Sequence, residues 1–137
     1  MFTKSWECVS DIGVSQQRFT ACGLIDKIYI CGGVRPHRLD NTRFEDTHRV
    51  FNTKDFTWNV IAKMKHNKHY AASSAYQGKM VVSGGIDNSL QRSSNLVEAY
   101  DHTVDEWIEM PSMINARHCH SQLTLRNKFF VIGKKKR

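Results

Sequence analysis

"KIYICGG" at residues 27–33 and "KMVVSGG" at residues 79–85 share a lysine, an apolar run and a glycine pair, and they stand 52 positions apart. Self-similarity at a fixed period marks a repeat architecture, and missing it misassigns the whole fold. Two further markers keep one register. Trp6, Trp58 and Trp107 follow one another at 52 and 49 positions, and so do Lys27, Lys79 and Lys128. Phe51 stands seven residues before Trp58, as Tyr100 stands seven before Trp107. The repeating unit is about fifty residues long.

Within one unit the pattern is all β. Phe19 to Ile25 and Ile28 to Cys31 favour strands, and the Asp26-Lys27 pair between them suits a hairpin. The second unit repeats this as "AASSAY", Gln77-Gly78 and "KMVVS"; the third as "HSQLTL", Arg126-Asn127 and "KFFVI". Glycine pairs at Gly32-Gly33 and Gly84-Gly85 then close the second strand, where a residue without Cβ permits a sharp exit and close backbone approach. The polar connections "VRPHRLDNTRFE" and "IDNSLQRSSN" lead to third strands at "THRVFN" and "LVEAYD", and the fourth strands surround Trp58 and Trp107.

Composition bounds the partners. The net charge of +7 includes Lys134, Lys135, Lys136 and Arg137, without which the excess is 7 − 4 = +3. No basic stripe interleaved with aromatics is present, so the sequence disfavours nucleic acid as a partner. Cys8, Cys22, Cys31 and Cys119 form no C-x-x-C pair, and Cys22 and Cys31 lie inside strand-like runs, where cysteine serves as a small buried hydrophobe. No secretory leader pattern, no apolar stretch of membrane-spanning length and no Asn-x-Ser/Thr acceptor occurs. The expectation is a cytoplasmic protein that does not engage a membrane, with the "GKKKR" end open to reading as a nuclear-import patch, a phosphate-binding patch or the end of a shortened reading frame.

Four antiparallel strands per unit, with one large aromatic ending the third and another opening the fourth, describe a propeller blade. The pattern resembles the kelch repeat, and the run "VEAYDHTVDEW" is especially similar to the propellers of animal kelch-like proteins. The resemblance rests on Gly32-Gly33, Gly84-Gly85, Tyr100-Asp101 before Trp107, Phe51-Asn52 before Trp58, and "MPSMINARHCH" at 110–120. Met113 to Arg117 has the family's spacing, and Met64 to Lys68 keeps it with lysine substituted. The fold class implied is all-β, a partial, open kelch-type propeller over 1–133. Residues 1–15 hold the last strand of a preceding blade around Trp6 and a connection, 16–62 one blade, 63–111 a second, 112–133 the start of a third, and 134–137 a basic tail. Two blades and two pieces do not close a ring of four to eight blades.

The resemblance implies a protein-interaction module, the client-recognising part of an adaptor of a cullin-RING ubiquitin ligase whose other domains lie outside this sequence. Alternatives within the resemblance are an actin-associated kelch protein and a non-functional piece of a larger propeller. An enzyme is not expected, because propeller chemistry gathers around a closed channel, and no Ser/His/Asp or Cys/His constellation is evident. No cofactor and no metal are expected; His118 and His120 form an H-x-H with no third ligand in view. In an antiparallel blade, the connection from strand two to three and the connection into the next blade emerge on one face. That face would display Arg35, Pro36, His37, Arg38 and Arg43 from the first unit and Asp87, Asn88, Gln91 and Arg92 from the second, beside 65–67 and 114–116. Loops on a rigid scaffold commonly carry binding, and clustered arginines suit carboxylates, so the expected ligand is an acidic protein segment. Trp6, Trp58, Trp107 and Tyr100 are assigned to the core between blades.

Overall fold

The computed structural model describes residues 4–36, 43–44 and 46–133. These form fifteen strands and, among the described residues, no helix. The first blade consists of β1 (Thr20–Leu24), β2 (Lys27–Cys31), β5 (His48–Asn52) and β6 (Thr57–Ile61), with the ribbon β3 (Val34–Arg35) and β4 (Arg43–Phe44) between the second and third blade strands. After β7 (Lys68–His69), the second blade contains β8 (Ala72–Tyr76), β9 (Lys79–Ser83), β12 (Val97–Asp101) and β13 (Glu106–Met110), with β10 (Ile86–Asp87) and β11 (Arg92–Ser93) in the equivalent ribbon. β14 (Ser121–Leu125) and β15 (Lys128–Ile132) form a lone hairpin. Both blades are antiparallel meanders, ordered β1-β2-β5-β6 and β8-β9-β12-β13. The architecture is all-β, open and unclosed, as the sequence predicts.

One turn differs from expectation. Leu24 pairs with Lys27, so the first hairpin turns on Ile25-Asp26 and Lys27 already belongs to β2. Gln77-Gly78 and Arg126-Asn127 turn as predicted, with positive φ at both residues, the turn shape that follows the twist of paired strands.

The core lies between blades because each strand sends alternate residues to opposite faces. In β9, Met80 and Val82 face the first blade and pack with Cys22, Leu24, Tyr29, Cys31, Val50 and Ile61. Val81 instead joins Val97 and Ala99 in a second cluster, against Tyr76, Met113 and Phe129. The middle blade is therefore covered on both sides. Cys22 and Cys31 are buried free thiols, as expected for small hydrophobes, and burial pushes the Cys22 thiol up to about 11. Tyr100 and Trp107 are core residues as assigned; the Trp107 indole donates to the Ala62 carbonyl at 2.7 Å while Ala62 N donates to Asp105 at 2.8 Å, which fastens the first blade's exit to the second blade.

The other two tryptophans depart from that assignment. Trp58 is half-buried, its ring tilted against that of Phe51 with centroids 4.9 Å apart, and donates to Ser10 Oγ at 3.0 Å; Ser10 stands 52 positions before Ala62 and docks in its place. Trp6 is fully exposed, and no strand occurs in residues 4–15. A fourth blade strand exists only through pairing with a third, and none is present beside Trp6 among the described residues.

Candidate functional site

The glycine pairs build the platform on which the loop face rests. Gly84 and Gly85 hold φ of +61° and +88°, and Gly32 and Gly33 hold +69° and +99°. A Cβ on Gly84 would stand 2.4 Å from the Arg117 carbonyl, and one on Gly85 would stand 2.8 Å from that of His69. In the first blade the equivalent approaches are 2.2 Å to Lys68 O and 2.6 Å to Gln17 O. Each pair is thus a junction of three backbone segments: the exit of strand two, its own blade's lead-in and the next blade's lead-in. Hydrogen bonds close it, from Gly85 N to Arg117 O at 2.7 Å and from Gly33 N to Lys68 O at 3.0 Å. The Met64 and Met113 methyls pack against Gly32 and Gly84, which gives the methionine-to-glycine repeat a physical reason.

From this junction the loops rise together. β7, in the lead-in to the second blade, pairs with β10, and β10 pairs with β11, so a three-stranded sheet joins the two kinds of connection that geometry places on one face. In the first blade Gln17 bridges Val34, and β3 pairs with β4 in the same arrangement. These two-residue strands were not legible in the sequence.

The predicted contact residues fare differently. Asp87 is buried, and its Oδ1 accepts from Ser89 N at 2.8 Å and Leu90 N at 2.9 Å; it shapes the turn and is not displayed. The sequence reading missed this because a short acidic side chain that caps its own loop looks like any surface aspartate. Asn88 is half-buried and bonded to His69 Nδ1 at 2.7 Å, while Gln91 is exposed and donates to Asn88 O at 2.7 Å. Arg92 is exposed and lines a hollow of about 480 Å³ with Leu90, Ser93, Asn95 and Ala116. Arg35 is half-buried, and its backbone pairs with Arg43, so two arginines occupy one rung of the ribbon. His37 and Arg38 lie outside the described residues, as do 134–137 and the side chain of Arg43.

Beneath the loops lies a buried ion pair. Lys68 Nζ stands 3.5 Å from Glu98 Oε2, both side chains are 1% exposed, and Glu98 Oε1 also accepts from Lys65 N at 2.9 Å. Burial holds the Lys68 amine below its ordinary value, and the Glu98 carboxylate opposes that shift. Removing either partner would leave the other charged and buried, the costly case, so the pair ties the lead-in to β12. The signal available was a glutamate inside the apolar run "VEAY". His118 and His120 are held apart by separate partners, Ser93 Oγ at 2.6 Å and Ser83 Oγ at 2.9 Å. Among the described residues no three His, Cys, Asp or Glu side chains gather as metal ligands, and no helix is long and apolar enough to cross a membrane.

The family description "Kelch motif" matches residues 68–114, the second blade with its lead-in. The second blade is a kelch repeat. It is similar to an F-box/kelch-repeat protein of Arabidopsis thaliana, 25% identical over 103 residues that span 75% of this chain and 26% of that protein. It is also similar to Kelch-like protein 40 of Xenopus tropicalis, 29% identical over 85 residues covering 61% of this chain and 13% of that protein. The chain thus spans about a quarter or less of the length of these kelch relatives. In fold it is similar to the solved structure of YjhT, with a TM-score of 0.73 and 20% identity over 90% of this chain and 36% of that one.

Proposed function

We propose that the chain is the client-recognition part of a cytoplasmic kelch-like adaptor of a cullin-RING ubiquitin ligase, and that its loop face reads an acidic protein segment. The observation that carries this reading is the sheet β7–β10–β11, which fixes lead-in and ribbon side by side and holds Arg92 exposed over a hollow. In the first blade the equivalent rung of the ribbon pairs Arg35 with Arg43. Arginine forks bind carboxylates in bidentate pairs, and loops on rigid strands lose little freedom on binding. Asn88 and Gln91 hold the shape of the face. The proposal includes no catalytic step, cofactor or metal.

The test is a pull-down with the chain as bait, against a variant carrying Arg35→Glu, Arg38→Glu and Arg43→Glu. The parent is expected to recover a client that the variant loses while both keep the same β-sheet spectrum, and recovery is expected to weaken as salt rises to physiological strength. RNA and DNA competitors should leave the client in place. Actin as the recovered protein would favour the actin-associated alternative, and equal recovery by parent and variant would remove the arginine face from the reading.

A further inference from the structure

At the end of the blades opposite the glycine pairs, the hairpin turns enclose a hollow of about 210 Å³. Leu24, Ile25, Lys27 and Tyr29 of the first blade line it together with His102 of the second, so it belongs to the packing of two described blades. Tyr29 lines the hollow although only 2% of it is exposed, its ring packed against Tyr100 at 5.6 Å. The Tyr100 hydroxyl donates to Asp105 at 2.7 Å; the Tyr29 hydroxyl bonds to no described residue. Burial pushes Tyr29 above its ordinary value, which keeps the hydroxyl protonated and able to donate.

The repeat supplies an internal comparison for Lys27. Lys27 and Lys79 hold one repeat position, and Asn52 and Asp101 hold another. In the second blade Lys79 Nζ stands 3.5 Å from Asp101 Oδ2. In the first, Lys27 pairs across the ladder with Asn52, a neutral amide whose Oδ1 already accepts from Lys54 N at 2.9 Å. The neighbouring carboxylates are engaged as well. Asp26 holds Lys54 Nζ at 2.7 Å, and Asp55 accepts from Thr57 N at 3.1 Å and Thr57 Oγ1 at 2.6 Å, feeling the Lys27 charge only at longer range. Lys27 is therefore an exposed ammonium with no ion-pair partner among the described residues, two positions along one strand face from an unbonded, buried phenol.

We infer that this hollow binds a small organic acid, whose carboxylate takes on Lys27 the place that Asp101 holds on Lys79 and whose carbonyl oxygen, a short aliphatic spacer away, accepts from the Tyr29 hydroxyl. Leu24 and Ile25 supply apolar contact for the spacer. The volume suits one small molecule, since it falls below the roughly 300–1,000 Å³ of drug-sized pockets and well above the space of a single water. A carboxylate on a lysine at the rim keeps its charge near water, and the phenol receives only a neutral oxygen at depth. The site lies away from the loop face and does not rest on the reading of that face.

The experiment follows amide resonances of the 137-residue chain while 4-oxopentanoate, pentanoate or 2-pentanone is added. The oxo acid is expected to shift signals of residues 24–29 and 102 to saturation, pentanoate to bind roughly tenfold more weakly for want of the carbonyl, and the neutral ketone to leave the spectrum unchanged. Tyr29→Phe is expected to bring the oxo acid down to the level of pentanoate. Asn52→Asp gives Lys27 an internal carboxylate and keeps an acceptor for Lys54 N, so it is expected to abolish binding at a urea midpoint no lower than the parent's. Lys27→Gln, at an exposed position, is expected to abolish it too. No saturable shift with the oxo acid overturns the proposal, as does an Asn52→Asp or Lys27→Gln chain that binds it like the parent. Tighter binding of the peptide Gly-Glu-Gly than of the oxo acid would give the hollow to a protein side chain and overturn it as well.

Discussion

Gly78 and Gly84 are both left-handed glycines, yet they answer to different constraints. At Gly78, with φ of +73°, a Cβ would meet nothing within 4 Å, so substitution pays only for the backbone conformation. At Gly84 the same added atom would approach the Arg117 carbonyl, His120 Cε1 at 2.7 Å and the Met113 methyl at 3.0 Å, two of them on a neighbouring backbone segment or ring with little room to move. Gly84→Val is therefore expected to lower stability by about 1–3 kcal/mol, and Gly78→Ala by less, as read from urea midpoints. Partner binding by the folded fraction should not change. Loss of binding at an unchanged midpoint would instead make the glycine pair a contact surface.

Among the elements, the β14–β15 hairpin is held by one face and by the segment that precedes it. Arg117 donates to the Gly133 carbonyl at its far end, and His120 Nε2 bonds Ser83 Oγ. Burial pushes His120 below its ordinary 6.5, and the neighbouring Arg117 and His118 add to the effect. A histidine depressed in the folded state takes up its proton more readily when unfolded, so its contribution is complete above 6.5 and is lost as the pH falls through and below that value. The melting temperature is expected to drop on acidification through this window, and His120→Gln is expected to flatten the drop. A parent and variant with parallel pH profiles would remove His120 as the cause.

For the whole molecule, protection should follow coverage by neighbours. The second blade packs on both faces, with Met80, Val81 and Val82 no more than 1% exposed, whereas alternate residues of β14 and β15 face outward and residues 4–10 are exposed throughout. Amide exchange is expected to be slowest across roughly 68–107 and fast at 4–8 and 117–133. Uniformly slow exchange in a monomeric chain with a single cooperative melt would contradict this hierarchy.

The repeat was legible because its markers serve the same local need in every unit: glycine where the backbone turns left-handed against a neighbour, tryptophan where strand four meets the preceding connection, alternating residues where a strand has two faces. Those requirements act within a few residues, so strand positions and blade class follow from the sequence alone. The fates of Trp6, Asp87 and the Lys68–Glu98 pair do not, because each depends on what stands opposite. Trp6 has the right residue type and spacing but lacks a paired strand, and so it lies in solvent. Asp87 reads as a surface charge until β10 pairs with β7 and carries it, with Lys68, beneath the loops. Burial is a property of neighbouring chain segments far apart in sequence, and only the tertiary structure brings those segments together.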